Sequence, residues 1–179
     1  TCKSPISMQS TIIKTYFAKS ININPNKIIN IVISPCTAKK SEINREELSI
    51  TKKDTDYILT TRELALLLKE ENIDLLKLKD TKFDSPLGIG SSSGIIFGNC
   101  PGGCINGGGQ PKITMLNMKD TKDKRMNSLY KEDKLMNLRL CHENTEIITI
   151  YKEYLNTPNS EISHKLLHTT YTDKSYMLG

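Results

Sequence analysis

A chain of 179 residues, 37% hydrophobic and 25% charged, has the size of one domain and the balance of a soluble globular fold. No apolar run approaches the ~20 residues of a membrane-crossing helix, and no signal-peptide pattern opens the sequence, so a cytoplasmic protein is expected. The net charge of +5 comes from lysines spread along the chain, with no basic block interleaved with aromatics; this argues for a solvated surface and against nucleic acid or membrane partners.

The segment "SPISMQSTIIKTYFAKS" reads as a helix, with Ser4 as its cap and Pro5 at the first helical position. Ile12, Ile13, Tyr16 and Phe17 are expected to form its buried stripe. "NINPNK" stops it. "KIINIVIS", Lys27 to Ser34, is a short β-branched run and reads as a buried strand leading into "PCTAKK". "DYILT" reads as a second strand and "TTRELALLLKEEN" as a second helix, in which Thr60 and Glu63 have the spacing of a capping box. This order predicts an α/β fold with parallel pairing. Beyond residue 111, "TKDKRMNSLYKED", "NTEIITIYKEYLN" and "SEISHKLLHTTY" read as helices. Asn144 is the expected cap of the second of these, and Ile147, Ile150, Tyr151 and Tyr154 its apolar face.

Nine of the ten glycines lie between Gly88 and Gly109, which predicts one long irregular loop, a feature that is usually functional inside a compact domain. Two of the five cysteines, Cys100 and Cys104, sit in its "NCPGGCINGGGQP" segment. The odd cysteine count and the lack of a secretion signal argue against a disulfide framework and for metal. The C-x3-C spacing admits zinc. The glycines on both sides suit an iron–sulfur cluster, which is bulky and needs bare backbone beside it. A purely structural glycine turn is the remaining reading. Cys36 follows a strand end, where α/β proteins bind ligands, though a cysteine there is as often a small buried hydrophobe. Lys39 and Lys40 follow it, either as donors to an anionic ligand or as a solvated pair. His164 and His168 have chelating i, i+4 spacing but no evident third ligand. His142 is a candidate helix cap, and Cys141 beside it looks incidental.

Taken together, "TCKSP", "IIKTYFA", "SPCTAKK", "DYILTTREL", "SSSGIIFG", "GGCINGGGQP", "CHENTEIITIYKEYLNTP" and "HKLLHTTY" resemble, in that order, the catalytic domain of the iron-only hydrogenases, from Thr1 to about Tyr171. The resemblance implies a single reduced catalytic domain over residues 1–179: a parallel sheet flanked by helices, a glycine-rich cluster-binding loop, and a second lobe largely missing. It implies reversible dihydrogen oxidation at an H-cluster, a four-iron–four-sulfur cubane joined through one cysteine to a di-iron subsite with carbonyl, cyanide and dithiolate ligands. By motif position Cys36, Cys100 and Cys104 would ligate the cubane, with Cys104 the shared thiolate. Lys39 would reach a cyanide of the subsite. Ser4, Pro5 and Phe97 would line the subsite wall, and Gly103, Gly107 and Gly108 would let the backbone approach the cluster.

The sequence departs from the family pattern in several places, among them Gly98, which stands where a methionine normally precedes the second cysteine motif. The sequence holds no paired-cysteine segment upstream of "KSP", which in the family supplies the remaining cubane ligand and a proton-relay cysteine. "GIIFG" runs directly into "NCPGGC", where family members insert a long segment. Ser34 stands where a methionine usually precedes the first motif. The expected partners are therefore an external ferredoxin-like electron carrier, maturation proteins, and a chain supplying the missing cysteine motif. Cys2, near Pro5 on an N-terminus expected to be frayed, is either a substitute ligand or an exposed thiol. The alternative is a non-catalytic iron–sulfur-binding module or inactive fragment, like the family's cluster-assembly relatives.

Overall fold

Ser4 and Pro5 start the first helix in the way their side chains dictate. Ser4 Oγ accepts from Ser7 N at 3.4 Å, and Pro5 takes the first position, where an amide hydrogen is not needed. The computed structural model describes residues 1–81, 103–138 and 140–173. They fall into two compact units. One comprises Thr1–Val32, Lys40–Tyr57 and Ile150–Gly179, and the other Ile33–Lys39 and Ile58–Thr149.

In the first unit, the opening helix runs through Pro5–Ile12, a π-type turn at Ile13–Phe17, and Ala18–Ser20. Asn22, at φ 54, ends it in the left-handed region that asparagine tolerates. The period is helical, but the buried face is not the expected one. Phe17 is 47% exposed and Ile12, Ile13 and Tyr16 are half-buried, whereas Ser7, Ser10, Thr11, Lys14 and Ala18 are buried. The reason is a set of buried partners. Thr11 donates to the Asp54 carboxylate at 2.8 Å and accepts from the Lys3 ammonium at 3.0 Å. Ser10 Oγ accepts from Thr55 at 2.7 Å, and Lys14 pairs with Asp56 at 2.9 Å. Asp54 also accepts from the backbone of Ile50 and Thr51 and from the Thr51 hydroxyl, at 2.7 to 3.1 Å. Buried polar groups are tolerable when paired in this way.

The two strands are shorter than the runs that suggested them. β1 is Ile31–Ile33 and β2 is Tyr57–Leu59. Tyr57 N donates to Asn30 O at 3.1 Å and Ser34 N to Leu59 O at 2.9 Å, an advance in the same direction on both strands, so the pair is parallel as expected. β1 is not buried. Ile29, Ile31 and Ile33 alternate onto one face and are 65%, 58% and 55% exposed. A parallel pair is buried on both faces only where helices cover both, and among the described residues nothing covers this one. The opposite face carries Asn30, whose side chain donates to Asp54 O at 2.8 Å.

Toward the C-terminus a helix over 145–155, its last turn π-type, starts in the second unit and enters the first at Ile150, and the first unit closes with the Glu161–Leu167 helix capped by Ser160. Asn144 caps the former as expected, accepting from Glu146 N at 2.9 Å. Of the expected face, Ile150, Tyr151 and Tyr154 are half-buried and Ile147 is 37% exposed, while Leu155 is the buried residue. The N-terminus is not frayed. Lys3 N donates to Leu167 O and Thr169 N to Thr1 O, both at 2.8 Å, so Cys2 forms an isolated antiparallel bridge with His168, just past the last helix.

In the second unit, β2 runs into the Thr61–Glu70 helix through the expected capping box. Glu63 N donates to Thr60 Oγ1 at 3.2 Å and Thr60 N to Glu63 Oε2 at 2.8 Å. A helix over Met118–Leu135 exceeds its expected limits at both ends. Neither helix has a buried residue, and Leu66 is 58% exposed. Among the described residues no helix is long and apolar enough to cross a membrane.

Candidate functional site

β1 ends in a tight bend that presents Cys36. Ser34 Oγ accepts from Cys36 N at 3.2 Å, which turns the chain out of the strand, and Lys39 N closes on Cys36 O at 3.4 Å as the Ala38–Glu42 helix begins. Cys36 is half-buried at the C-terminal end of a parallel strand, the usual ligand position in α/β sheets. Lys39, also half-buried, stands on the first turn after it.

Cys104 is presented by a second turn. Gly103 precedes it at φ 72, a conformation that an L-residue adopts only with strain. Cys104–Asn106 then forms a single 3-10 turn, with Ile105 buried beneath it. The two cysteine turns are held against each other by backbone. Gly109 N donates to Pro35 O at 2.9 Å, and a Cβ at Gly107 would lie 2.3 Å from that same oxygen. A Cβ at Gly108 would lie 3.1 Å from Thr37 Oγ1, and one at Gly109 would lie 2.7 Å from the Thr60 side chain. Within the described residues, then, the bare backbone at these three positions faces the Pro35–Thr37 bend and the helix cap at Thr60.

Two arginines, which sequence reasoning did not single out, tie this segment down. Arg62 donates from its amide to Gly109 O at 3.1 Å and from its guanidinium to Gly108 O at 3.0 Å. Arg125 donates to Ile105 O at 2.9 Å and to Pro111 O at 3.4 Å. In sequence both look like ordinary charges on solvated helices, so no local signal marks them.

The structure thus gathers Cys36, Lys39, Cys104, Gly103, Gly107 and Gly108 into one unit. Cys100 and Phe97 lie outside the described residues. Ser4 and Pro5 belong to the first unit, where Ser4 donates to the Glu42 carboxylate and Ser7 Oγ joins the same oxygen at 3.0 Å. The His164 and His168 rings meet at a tilt of 47° with centroids 4.3 Å apart, and Cys2 Sγ lies 3.7 Å from His168 Nε2. Burial, His164 and the chain's N-terminal charge, in that order, hold His168 below the usual histidine value. Cys141 and His142 sit in a short 3-10 turn ahead of Asn144. Among the described residues no group of three or more His, Cys, Asp or Glu converges on a metal position. What the described site offers is two soft thiol donors, neither in a disulfide and both half-buried, on adjacent turns. That donor chemistry fits a thiolate-held iron cluster and does not fit a hard, oxygen-seeking cation.

Comparison with known proteins bears on the same residues. The family model "Iron only hydrogenase large subunit, C-terminal domain" matches residues 1–99, and "Iron hydrogenase small subunit" matches residues 119–174. The NADP-reducing hydrogenase subunit HndD of Solidesulfovibrio fructosivorans is 32% identical over 254 residues, covering 96% of this chain, which spans 42% of that relative's length. The cytosolic Fe-S cluster assembly factor NAR1 of Botryotinia fuckeliana is 34% identical over 92 residues, covering 46% of this chain and 16% of its own. A solved structure of the FeFe-hydrogenase HydA1 from Chlamydomonas reinhardtii matches with a TM-score of 0.79 at 22% identity, over 96% of this chain and 70% of that one, and so shares the fold.

Proposed function

This chain belongs to the iron-only hydrogenase large-subunit family, C-terminal domain, and on that premise we propose that it is a reduced hydrogenase catalytic domain. Its activity would be reversible oxidation of dihydrogen, with an external ferredoxin-like carrier taking the electrons and maturation proteins supplying the cofactor. The observation that carries this reading is the clasp between the two cysteine turns, in which Gly109 N holds Pro35 O while Gly107 packs on the same carbonyl. Cys36 and Cys104 would serve as cubane thiolates, with Cys100 as the third. When bound, the cofactor supplies both the electron store and the metal at which dihydrogen is cleaved or formed.

The chain's own residues do the rest. The Ser34–Cys36 hydrogen bond orients one thiol, and the positive φ of Gly103 turns the other. The Lys39 ammonium, on the first helical turn after Cys36, is the group suited to hold a cyanide nitrogen through a charge-assisted hydrogen bond. The likeness to NAR1 over about half the chain favours a second reading, a module that keeps a cubane and no di-iron subsite.

One experiment separates them. Anaerobic reconstitution should give about four irons per chain, with most of that iron lost in Cys36→Ser and in Cys104→Ser. With maturation proteins present, the chain should then evolve dihydrogen from a reduced dye, and Lys39→Ala should lose that activity while keeping the cubane iron. Iron without gas supports the module reading. Stoichiometric zinc without sulfide, from iron-replete anaerobic expression, sinks both.

A further inference from the structure

The glycines that let the Cys104 segment pass the Pro35 carbonyl also leave it with high backbone entropy to lose on folding. Something must hold that segment in place, and helices on either side of it in sequence supply an arginine each. We propose that Arg125 and Arg62 are positioning residues that hold the Cys104 turn in ligating geometry, and that the Arg125 charge also raises the reduction potential of the cluster held there. The second half rests on the cluster-holding reading above, and the first does not.

Four carbonyls of the segment are taken. Ile105 O and Pro111 O accept from the Arg125 guanidinium, at 2.9 and 3.4 Å. Gly108 O accepts from the Arg62 guanidinium at 3.0 Å, and Gly109 O from the Arg62 amide at 3.1 Å. The amides of Asn106, Gly107 and Gln110 close inside the segment, on Gly103 O, Cys104 O and Gly107 O, and that of Gly109 goes to Pro35 O. Arg125 therefore spans the turn from the residue after Cys104 to the proline that ends the glycine tract. Only a forked, planar donor reaches two carbonyls in this way, and a lysine ammonium of the same charge is a single point. The positive charge sits one hydrogen bond from the residue adjoining Cys104. An iron–sulfur cluster is anionic, and its potential follows local charge and hydrogen bonding.

Three variants and two readouts test the proposal. In the cluster-free chain, Arg125→Gln should speed amide hydrogen exchange over residues 106–110 by at least about tenfold, the loss of the guanidinium's hydrogen bonds to Ile105 O and Pro111 O, with far-ultraviolet circular dichroism unchanged. Arg125→Lys should speed it nearly as much, because one point charge cannot hold both carbonyls. In the iron-reconstituted chain, Arg125→Gln should move the reduction midpoint to more negative values, and Arg125→Lys should restore it. This split is one that a purely structural role would not produce. Arg62→Gln should speed exchange around Gly108 and serves as the deciding variant if Arg125→Gln fails to fold. Wild-type exchange in Arg125→Gln and Arg62→Gln would overturn the clamp. Equal midpoints for Arg125→Gln and wild type would overturn the electrostatic half. A wild-type chain that takes up no iron would instead count against the cluster reading, and the exchange data would still decide the clamp.

Discussion

The two units are organised by opposite means. The first buries side-chain charge: Lys3, Lys14 and Asp54 are each no more than 3% exposed, and every one has a charged or hydroxyl partner. The second is organised through backbone, with carbonyls and amides of the Cys36 and Cys104 turns closing on each other and on two arginines, while its Thr61–Glu70 and Met118–Leu135 helices contain no buried residue. A network of paired buried charges tolerates almost no deletion, because each removal strands a partner. A backbone clasp tolerates side-chain change and fails where a Cβ is added. The first unit should therefore respond to the loss of a functional group, and the second to the gain of a methyl.

The sharpest way to break this contrast is Asp54→Ala. It removes the acceptor of Thr11, Ile50 and Thr51, and with it the carboxylate whose charge acts on buried Lys3. A loss of about 3–5 kcal/mol is expected in urea unfolding, the usual consequence of leaving a buried charge uncompensated. A change within about 0.5 kcal/mol, the range of ordinary surface substitutions, would show that the first unit does not depend on this network.

Next in size is the pair Gly107→Ala and Gly108→Ala. A methyl at Gly107 meets Pro35 O at 2.3 Å and Cys104 O at 3.2 Å, both backbone, so the two turns must part. A cost of about 1–3 kcal/mol is expected, together with poor iron retention. At Gly108 the three nearest atoms all belong to the exposed Thr37 side chain, which can rotate away, so that variant should lose well under about 1 kcal/mol. Equal losses, measured by denaturation and iron content, would mean that the clasp is not what makes glycine necessary.

The smallest effect is a pH slope. Burial lowers the Lys3 pKa from 10.5, and the charge of Asp54 opposes this less strongly. The folded chain therefore gives up the Lys3 proton before the unfolded chain does. Between the lowered value and 10.5 the unfolded state binds more protons, so this group makes stability rise with pH across that window. Lys3→Met should flatten that rise relative to wild type in urea midpoints. A rise of equal steepness in the variant would assign it to other groups.

Much of the local structure was legible in the sequence because it depends on near neighbours. Ser4 with Pro5, Thr60 with Glu63, and Asn144 each declare a helix start through a bond spanning two or three residues. The strand–turn–Cys36 order was legible for the same reason, and the parallel pairing from the order of the elements along the chain. The site motifs around Cys36 and Cys104 could be read as thiol-bearing turns. What they pack against could not, because the atoms that exclude a Cβ at Gly107 and Gly109 belong to Pro35 and Thr60, distant in sequence.

Sequence alone, then, determined where helices begin, which way the two strands run, and which residue types stand at the two turns. The helix starts and the turns follow from backbone chemistry over a few positions, and the strand direction from the order of the elements along the chain. Tertiary structure alone decided which face each element buries. Hydrophobic period assigns Ile12, Ile13, Tyr16 and Phe17 to the interior, and the β-branched run from Lys27 to Ser34 reads as a buried strand. The interior instead took Ser10, Thr11, Lys14 and Asn30, because Asp54, Thr55 and Asp56 arrive there from another part of the chain and satisfy them. Periodicity reports that two faces differ. Which of them is inside depends on the partners that the rest of the fold brings, and a polar face that is fully hydrogen-bonded can be the buried one.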